Sequence, residues 1–576
     1  MLENSLQWIR LTHVLVLVFL VGLFFHSDLA PLEETHWDSP IYLQLSKRAA
    51  ETNTLADYHQ YAQDIPLGPG DGAHWYFMRI GHILLLSEVT RLVGANESAL
   101  VAMQWLYRIF MALGLALTIM LSHQLVKLFK RNAPDSNSAN SFWWAGYFFA
   151  AITYIASDSY RGLQGHLVSE PPAFLVLVLF AIALLKAIER RSLFIASSAG
   201  ILLFLLFFIR VDAVLPGVIF LVLMACTLIF MKRLNTLSVI AVTSLVSLSL
   251  YLVYAWWFYP LVNPQVLLEF SSNAKEVFFS APLKSIFSII IAGGLLWVGA
   301  CVGALRWREP IILFAMIWLL LSLLPLLMDS LNGRAVQSRM AFYIVLPVLI
   351  LAGEGWRWIA QAFVKQKRIL PVVLALSVTL MIALVPYSMI LNARNFAAIY
   401  LPPEIQQYLF TSLARKGSIQ SNQQSHDSKL GLFVRPMYER WTVEFLKMKE
   451  MGDYLYASNI KAYLTWSGYD ASIGQHSLQS YVELLRYFGK KNPSDKSFVT
   501  ERRPNENLPC TEYLPTNFEP IVFCSTFTAS DIQILKENKG VLYVLSAEGY
   551  EIPNLAELKL KKMLSIPPFA LYEAIE

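Results

Sequence analysis

The chain has 576 residues, of which 56% are hydrophobic and only 15% charged, with a mean hydropathy of +0.48. That balance excludes an ordinary soluble enzyme and points to a protein whose solvent is largely lipid. The net charge of +5 is modest and its basic residues sit at the ends of apolar runs, so no nucleic-acid surface is expected.

From the N-terminus, apolar runs occupy 11–26, 99–126, 142–157, 171–188, 193–209, 213–231, 236–258, 285–305, 310–328, 341–360 and 369–391. Many approach the ~20 residues a helix needs to cross the hydrocarbon core, and together they predict roughly eleven spans. The first run lacks an A-x-A-like cleavage site and reads as a signal anchor. Segment 76–94 carries Arg79, His82, Glu88 and Arg91, which are costly in hydrocarbon but natural on a helix lying in the interface. It is therefore left out of the count.

The basic residues test that choice. Arg10, Lys127, Lys130, Arg131, Lys186, Arg190, Arg191, Lys232, Arg233, Arg306, Arg308, Lys365, Lys367 and Arg368 then all fall on one side. The positive-inside rule makes that side cytoplasmic and the topology N-in, C-out. The first outward loop covers 27–98, and the chain after about 392 is also outside.

The tail changes character. Clusters such as "SIQSNQQSHDSK" at 418–429 are polar, "NKGVLYVLSAEGYEI" at 538–552 and the terminal "PFALYEAIE" read as strands, and 554–563 reads as a helix between them. The expectation is a polytopic α-helical membrane domain over 1–394 and an extracytoplasmic soluble domain of α/β or α+β class over 395–576. Of the four cysteines, Cys226 and Cys301 lie inside spans as apolar packing residues. Cys510 and Cys524, both in the tail, suit a disulfide in an oxidising compartment.

Ionisable residues gather at the outward ends of the spans. Asp38 stands between the first span and a short helix opened by Ser39-Pro40, whose Ile41, Tyr42, Leu45 and Ala49 share one face. Asp38 alone fits a helix cap; with its companions it fits a site. The second outward loop carries Asp158, Arg161, His166 and Glu170, and Glu170-Pro171-Pro172 opens a span where the helix dipole favours a carboxylate. Arg210 and Asp212 fill a very short hairpin and can pair with each other. Asp329, Arg334 and Arg339 precede another span. Charges held at four span ends on one face point to a polar cavity there.

These residues resemble the GT-C glycosyltransferases, near the branch containing protein O-mannosyltransferases and lipid A aminoarabinose transferase. Asp38, Tyr42 and Ala49 are similar to the first-loop "D…Y…A" pattern, and Arg108 stands at the Arg of "G-x-x-x-x-A-x-R". "RVDAVL" at 210–215 resembles "R-P-D-A", with Val211 for Pro, and "SRMAFYIVLPVLILAGEG" at 338–355 resembles "R-Y-x-x-P-x-x-P", departing at Met340 and Ala341. The resemblance covers roughly residues 1–391 and rests on the order of short motifs, while the tail matches no named family.

The resemblance implies transfer of a sugar from a polyprenyl-phosphate donor in the bilayer to an acceptor hydroxyl of a glycan, lipid or protein outside. Asp38 is then the general base for an inverting displacement, and Arg339, helped by Arg210 or Arg334, clamps the donor phosphate. Glu170, His166 and Asp158 complete the acceptor side, or Asp38 and Glu170 hold a divalent cation, which the residue types permit and their spacing does not demand. Trp37 and Trp75 supply sugar-stacking surface or sit at the interface as aromatics commonly do. A bacterial inner membrane with a periplasmic active site is the expected location. Two rivals share these features: a flippase or transporter for a lipid-linked sugar, and an O-antigen ligase or polymerase. The absence of an internal repeat speaks against the first.

Overall fold

The computed structural model describes residues 2–24, 38–51, 79–130, 143–155, 157, 160, 163, 167–258, 295–331, 342–365, 461–467, 521–523, 540–547, 560–566 and 569–574. Its contacts divide the chain into two units: Met1–Leu29 with Leu45–Asp64 and Pro69–Thr379, and Ala30–Gln44 with Ile65–Gly68 and Leu380–Glu576.

The described helices are α1 (Leu2–Phe24), α2 (Asp38–Glu51), α3 (Ile80–Val93), α4 (Glu97–Lys130), α5 (Trp143–Ile155), α6 (Glu170–Arg190), α7 (Leu193–Ile209), α8 (Val214–Phe230), α9 (Leu237–Phe258), α10 (Leu295–Ala304), α11 (Pro310–Leu331) and α12 (Phe342–Lys365). Among the described residues, four segments are long and apolar enough to cross a membrane: Ser98–Phe129, Glu170–Arg190, Leu234–Tyr254 and Phe342–Gln361. Five shorter apolar helices correspond to the expected spans in α1, α5, α7, α8 and α11. The run at 285–305 is described only as α10, and 369–391 lies outside the described residues. The chain is a polytopic membrane protein.

Burial sorts these helices. In α6 78% of the most apolar stretch is buried, against 17% for Leu234–Tyr254, so α6 is central and α9 peripheral. α6 packs on α4 and α7, with Phe174, Leu177, Val178 and Leu184 in the common core. α9 turns Leu245, Leu248, Leu252 and Val253 outward, an apolar face suited to lipid tails.

The turns hold the pattern. α6 runs into α7 through Arg191, whose left-handed φ of 52° ends one helix, while the Ser192 hydroxyl accepts from the Ile195 amide to start the next. At the same end Lys127 of α4 meets Glu189 of α6 at 2.6 Å. The basic turns 190–193 and 231–236 therefore share the end where α4 finishes. α12 lies against α5 and α10 through small residues. A Cβ on Gly303 would collide with the Leu351 carbonyl, and one on Gly355 with that of Gly299, so these backbones touch.

Within the 76–94 segment α3 has 14 residues, about 21 Å, too short for a span, in keeping with its omission from the count. Its chemistry is divided: Arg79 and His82 are buried, while Glu88 and Arg91 are exposed and paired at 2.5 Å. α2 is buried at Tyr42, Leu43, Leu45, Ser46 and Ala49. Ser46 meets Thr90 of α3 at 3.4 Å. Cys226 and Cys301 face outward and are not packed in the core.

In the second unit the described strands are β1 (Lys461–Ser467), β2 (Ile521–Phe523), β3 (Gly540–Ala547), β4 (Leu560–Ile566) and β5 (Phe569–Ala574). They form one mixed sheet in the order β2-β1-β3-β5-β4, with β1 parallel to β2 and β3, and β5 antiparallel to β3 and β4. Strands expected at 538–552 and at the C-terminus are β3 and β5. The helix expected at 554–563 is not found at its end, because Leu560 to Lys562 pair with Tyr572 to Ala574 as strand. Backbone pairing outweighs the helical preference of a Leu/Lys-rich stretch there. Cys510 and Cys524 lie outside the described residues.

Candidate active site

The site grows from the N-terminus of α6. Pro171 and Pro172 suit the first turn, where no amide hydrogen is needed. Ser169 precedes them in the cap position, yet its hydroxyl does not cap the helix. It accepts instead from Nη1 of Arg210 at 3.1 Å. Oε1 of Glu170 stands 2.8 Å from the same nitrogen. Arg210 reaches this place because α6 and α7 are antiparallel, so the end of α7 returns to the beginning of α6. Its guanidinium also lies over the Phe342 ring at 5.5 Å, at the start of α12. A guanidinium fixed by a carboxylate, a hydroxyl and a ring has one orientation.

The polar region continues across α4 and α3. Tyr107 of α4 is fully buried and within electrostatic reach of Glu170. Its hydroxyl is hydrogen-bonded to Nδ1 of His82 at 2.6 Å, with the rings edge to face. His82 is held inside because Gly81 lets α3 approach α7 at Phe208. Arg79, one helical turn before His82, is also buried. Arg108 follows Tyr107 and is 1% exposed, over the Trp105 ring at 5.4 Å and within electrostatic reach of Tyr160. Tyr160 donates to the Gly22 carbonyl at 2.8 Å, which joins this region to the end of α1. Arg79, His82, Arg108, Glu170 and Arg210 are thus ionisable side chains buried within an otherwise apolar bundle.

Among the residues expected to form the site, Glu170 and Arg210 are brought together. Arg210 pairs with Glu170, and the side chain of Asp212, its expected partner, lies outside the described residues. Asp38 is the first residue of α2, where an acid suits a helix start, and its side chain is likewise not described. Trp37, Trp75, Asp158, His166, Arg334 and Arg339 lie outside the described residues. Among the described residues no three His, Cys, Asp or Glu side chains come together. The Glu170 carboxylate faces the Arg210 guanidinium, and Asp38, the other expected cation ligand, has its side chain outside the described residues.

Tyr107, His82 and Arg79 were not expected in the site. Their signal was present: ionisable residues inside an apolar segment usually mark function. Arg108 carried a motif match without a role.

No family model and no curated protein matches the chain. Among solved structures, the chain is similar to the crystal structure of ArnT from Cupriavidus metallidurans bound to undecaprenyl phosphate. Identity is 12% and the TM-score 0.46, over 98% of this chain and 97% of that one. The apo state of the same ArnT gives 12% and 0.45, over 99% and 98%.

Proposed function

We propose that the chain is a GT-C-type glycosyltransferase that moves a sugar from a polyprenyl-phosphate donor to an acceptor hydroxyl on the outer face of the membrane. The observation that carries this reading is the fixed, buried Arg210, held by Glu170 and Ser169 among further buried basic residues at one end of the spans. Charged groups are retained in such places for a substrate rather than for stability. The fold that goes with it has roughly eleven spans, N-in and C-out, with 1–394 as the membrane domain. Residues 395–576 form a periplasmic domain stapled by Cys510 and Cys524 in a bacterial inner membrane.

In this mechanism the acceptor oxygen attacks the anomeric carbon from the face opposite the phosphate. Its proton passes to the Asp38 carboxylate. The bond from the anomeric carbon to the phosphate oxygen breaks, the electron pair leaves with the polyprenyl phosphate, and the configuration inverts. Arg339, Arg210 and Arg334 offset the phosphate charge, for which a guanidinium fork is suited. Glu170 keeps Arg210 in place and, with His166 and Asp158, borders the acceptor. Trp37 and Trp75 stack on sugar.

The test is a donor assay on purified protein. Release of sugar from polyprenyl phosphate supports transfer, and uptake into sealed vesicles without release supports the flippase. Asp38→Asn separates base from cap, because Asn and Asp cap helices about equally well. The variant should fold normally and lose transfer; activity within a few-fold of the wild type would reduce Asp38 to a cap.

A further inference from the structure

A second charged cluster lies at the basic end of the bundle, about 22 Å along α12 from Phe342, taking the 15 residues from there to Arg357 at the helical rise. Glu354 is fully buried, accepts from the Tyr147 hydroxyl at 2.9 Å and pairs with Arg357 at 2.6 Å. Arg357 stands 3.7 Å from Glu309, which also pairs with Arg306. Burial and the adjacent Arg357 make Arg306 a weaker base than usual, although a guanidinium stays charged. These contacts tie the short turn between α10 and α11 to α12 and α5.

The charges do not cancel. Among the described residues of this cluster, Arg306 and Arg357 pair with Glu309 and Glu354, and Arg308 adds one further positive charge. Arg308 is exposed, and its guanidinium lies 5.6 Å above the Trp307 ring. Leu305 and Trp307 beside it are 73% and 54% exposed. Leu305, Arg306, Trp307, Arg308 and Glu309 line a cleft of about 400 Å³. The turn lies between the apolar runs 285–305 and 310–328, which in the span reading puts it at headgroup depth. There Leu305 and Trp307 meet the acyl boundary while Arg308 meets phosphate.

We propose that this turn binds the phosphodiester headgroup of an anionic phospholipid, with Arg308 as the anion contact and Trp307 and Leu305 against the lipid. The occupant is a lipid rather than free phosphate because the cation is flanked by exposed apolar side chains. This site is independent of the transfer reaction.

Native mass spectrometry of the delipidated full chain tests it, with dioleoylphosphatidylglycerol and dioleoylphosphatidylcholine as probes. The expected result is a preference for the anionic lipid that falls roughly fivefold in Arg308→Gln, the weight of one basic residue at a membrane surface. Arg308→Lys should keep most of it, and Trp307→Ala should weaken both lipids. Both positions are exposed, so the variants are expected to fold. Equal binding of the two lipids, or an unchanged preference in Arg308→Gln, overturns the proposal. Displacement of the lipid by excess inorganic phosphate also overturns it, by making the turn a general anion site.

Discussion

Glu170 and Arg210 stand 2.8 Å apart at one end of the bundle, with side chains 0% and 3% exposed. Lys127 and Glu189 stand 2.6 Å apart at the other end, 63% and 44% exposed. By distance the two pairs are equivalent. In water such a pair gains about 1 kcal/mol, and side-chain ordering offsets much of it. Inside the bundle both charges have left water, and each offsets part of the other's desolvation cost. A third pair, Glu354 and Arg357 at 2.6 Å, is as buried as the first but has a tyrosine donor and a second carboxylate nearby. The sharpest way to break the comparison is to remove one charge from each pair.

The largest effect is expected for Glu170→Gln. It removes the carboxylate 2.8 Å from the buried Arg210, and breaking a buried pair from one side destabilises by about 3–5 kcal/mol. Thermal unfolding of the purified protein in detergent measures this. The double variant Glu170→Leu with Arg210→Met should recover much of the loss, since neither charge remains. A loss under about 1 kcal/mol in the single variant would show that Arg210 does not depend on Glu170.

The Glu170 position was legible in the sequence, because Pro-Pro after an acid before an apolar run marks a helix start. Its partner was not, since Asp212 is nearer to Arg210 in sequence and only the return of α7 along α6 favours Glu170. The 76–94 segment was legible as too charged for a span, but not in how its charges divide. Its charges were read as one set, whereas α3 buries Arg79 and His82 at a spacing of three residues and exposes Glu88 and Arg91 at the same spacing. Composition gives the burden of charge in a segment, and only packing decides which face carries it. In the tail, "LKKML" has a helical composition, and its strand pairing with Leu571 to Ala574 depends on partners that a local window does not contain.

Glu354→Gln should be milder, about 1–3 kcal/mol. The amide oxygen can still accept from Tyr147, and Glu309 still faces Arg357. A loss as large as that of Glu170→Gln would mean that Glu309 at 3.7 Å is too far to compensate.

Tyr107→Phe should lie lower still. It removes one hydroxyl and leaves His82 without the partner at 2.6 Å, a change of about 1–2 kcal/mol for a buried hydrogen bond. The pair is near Glu170, so the readout includes transfer as well as unfolding. Transfer that falls much further than stability would place His82 and Tyr107 among the groups that position the site.

Lys127→Ala should have the smallest effect and serves as the control for the others. The pair it breaks has the same separation as Glu170 with Arg210, so a stability argument based on distance predicts a comparable loss. The argument from burial predicts no more than about 1 kcal/mol, because water solvates Glu189 once Lys127 is gone. Salt separates the two further. Raising ionic strength shortens the screening length to about 3 Å at 1 M and should erase whatever the exposed pair contributes, while Glu170 and Arg210, away from solvent, should keep theirs. A Lys127→Ala variant that loses as much as Glu170→Gln, and loses it equally at low and high salt, would show that this end of the bundle is as dry as the other. The turn at Arg308 would then lie too deep to meet a headgroup.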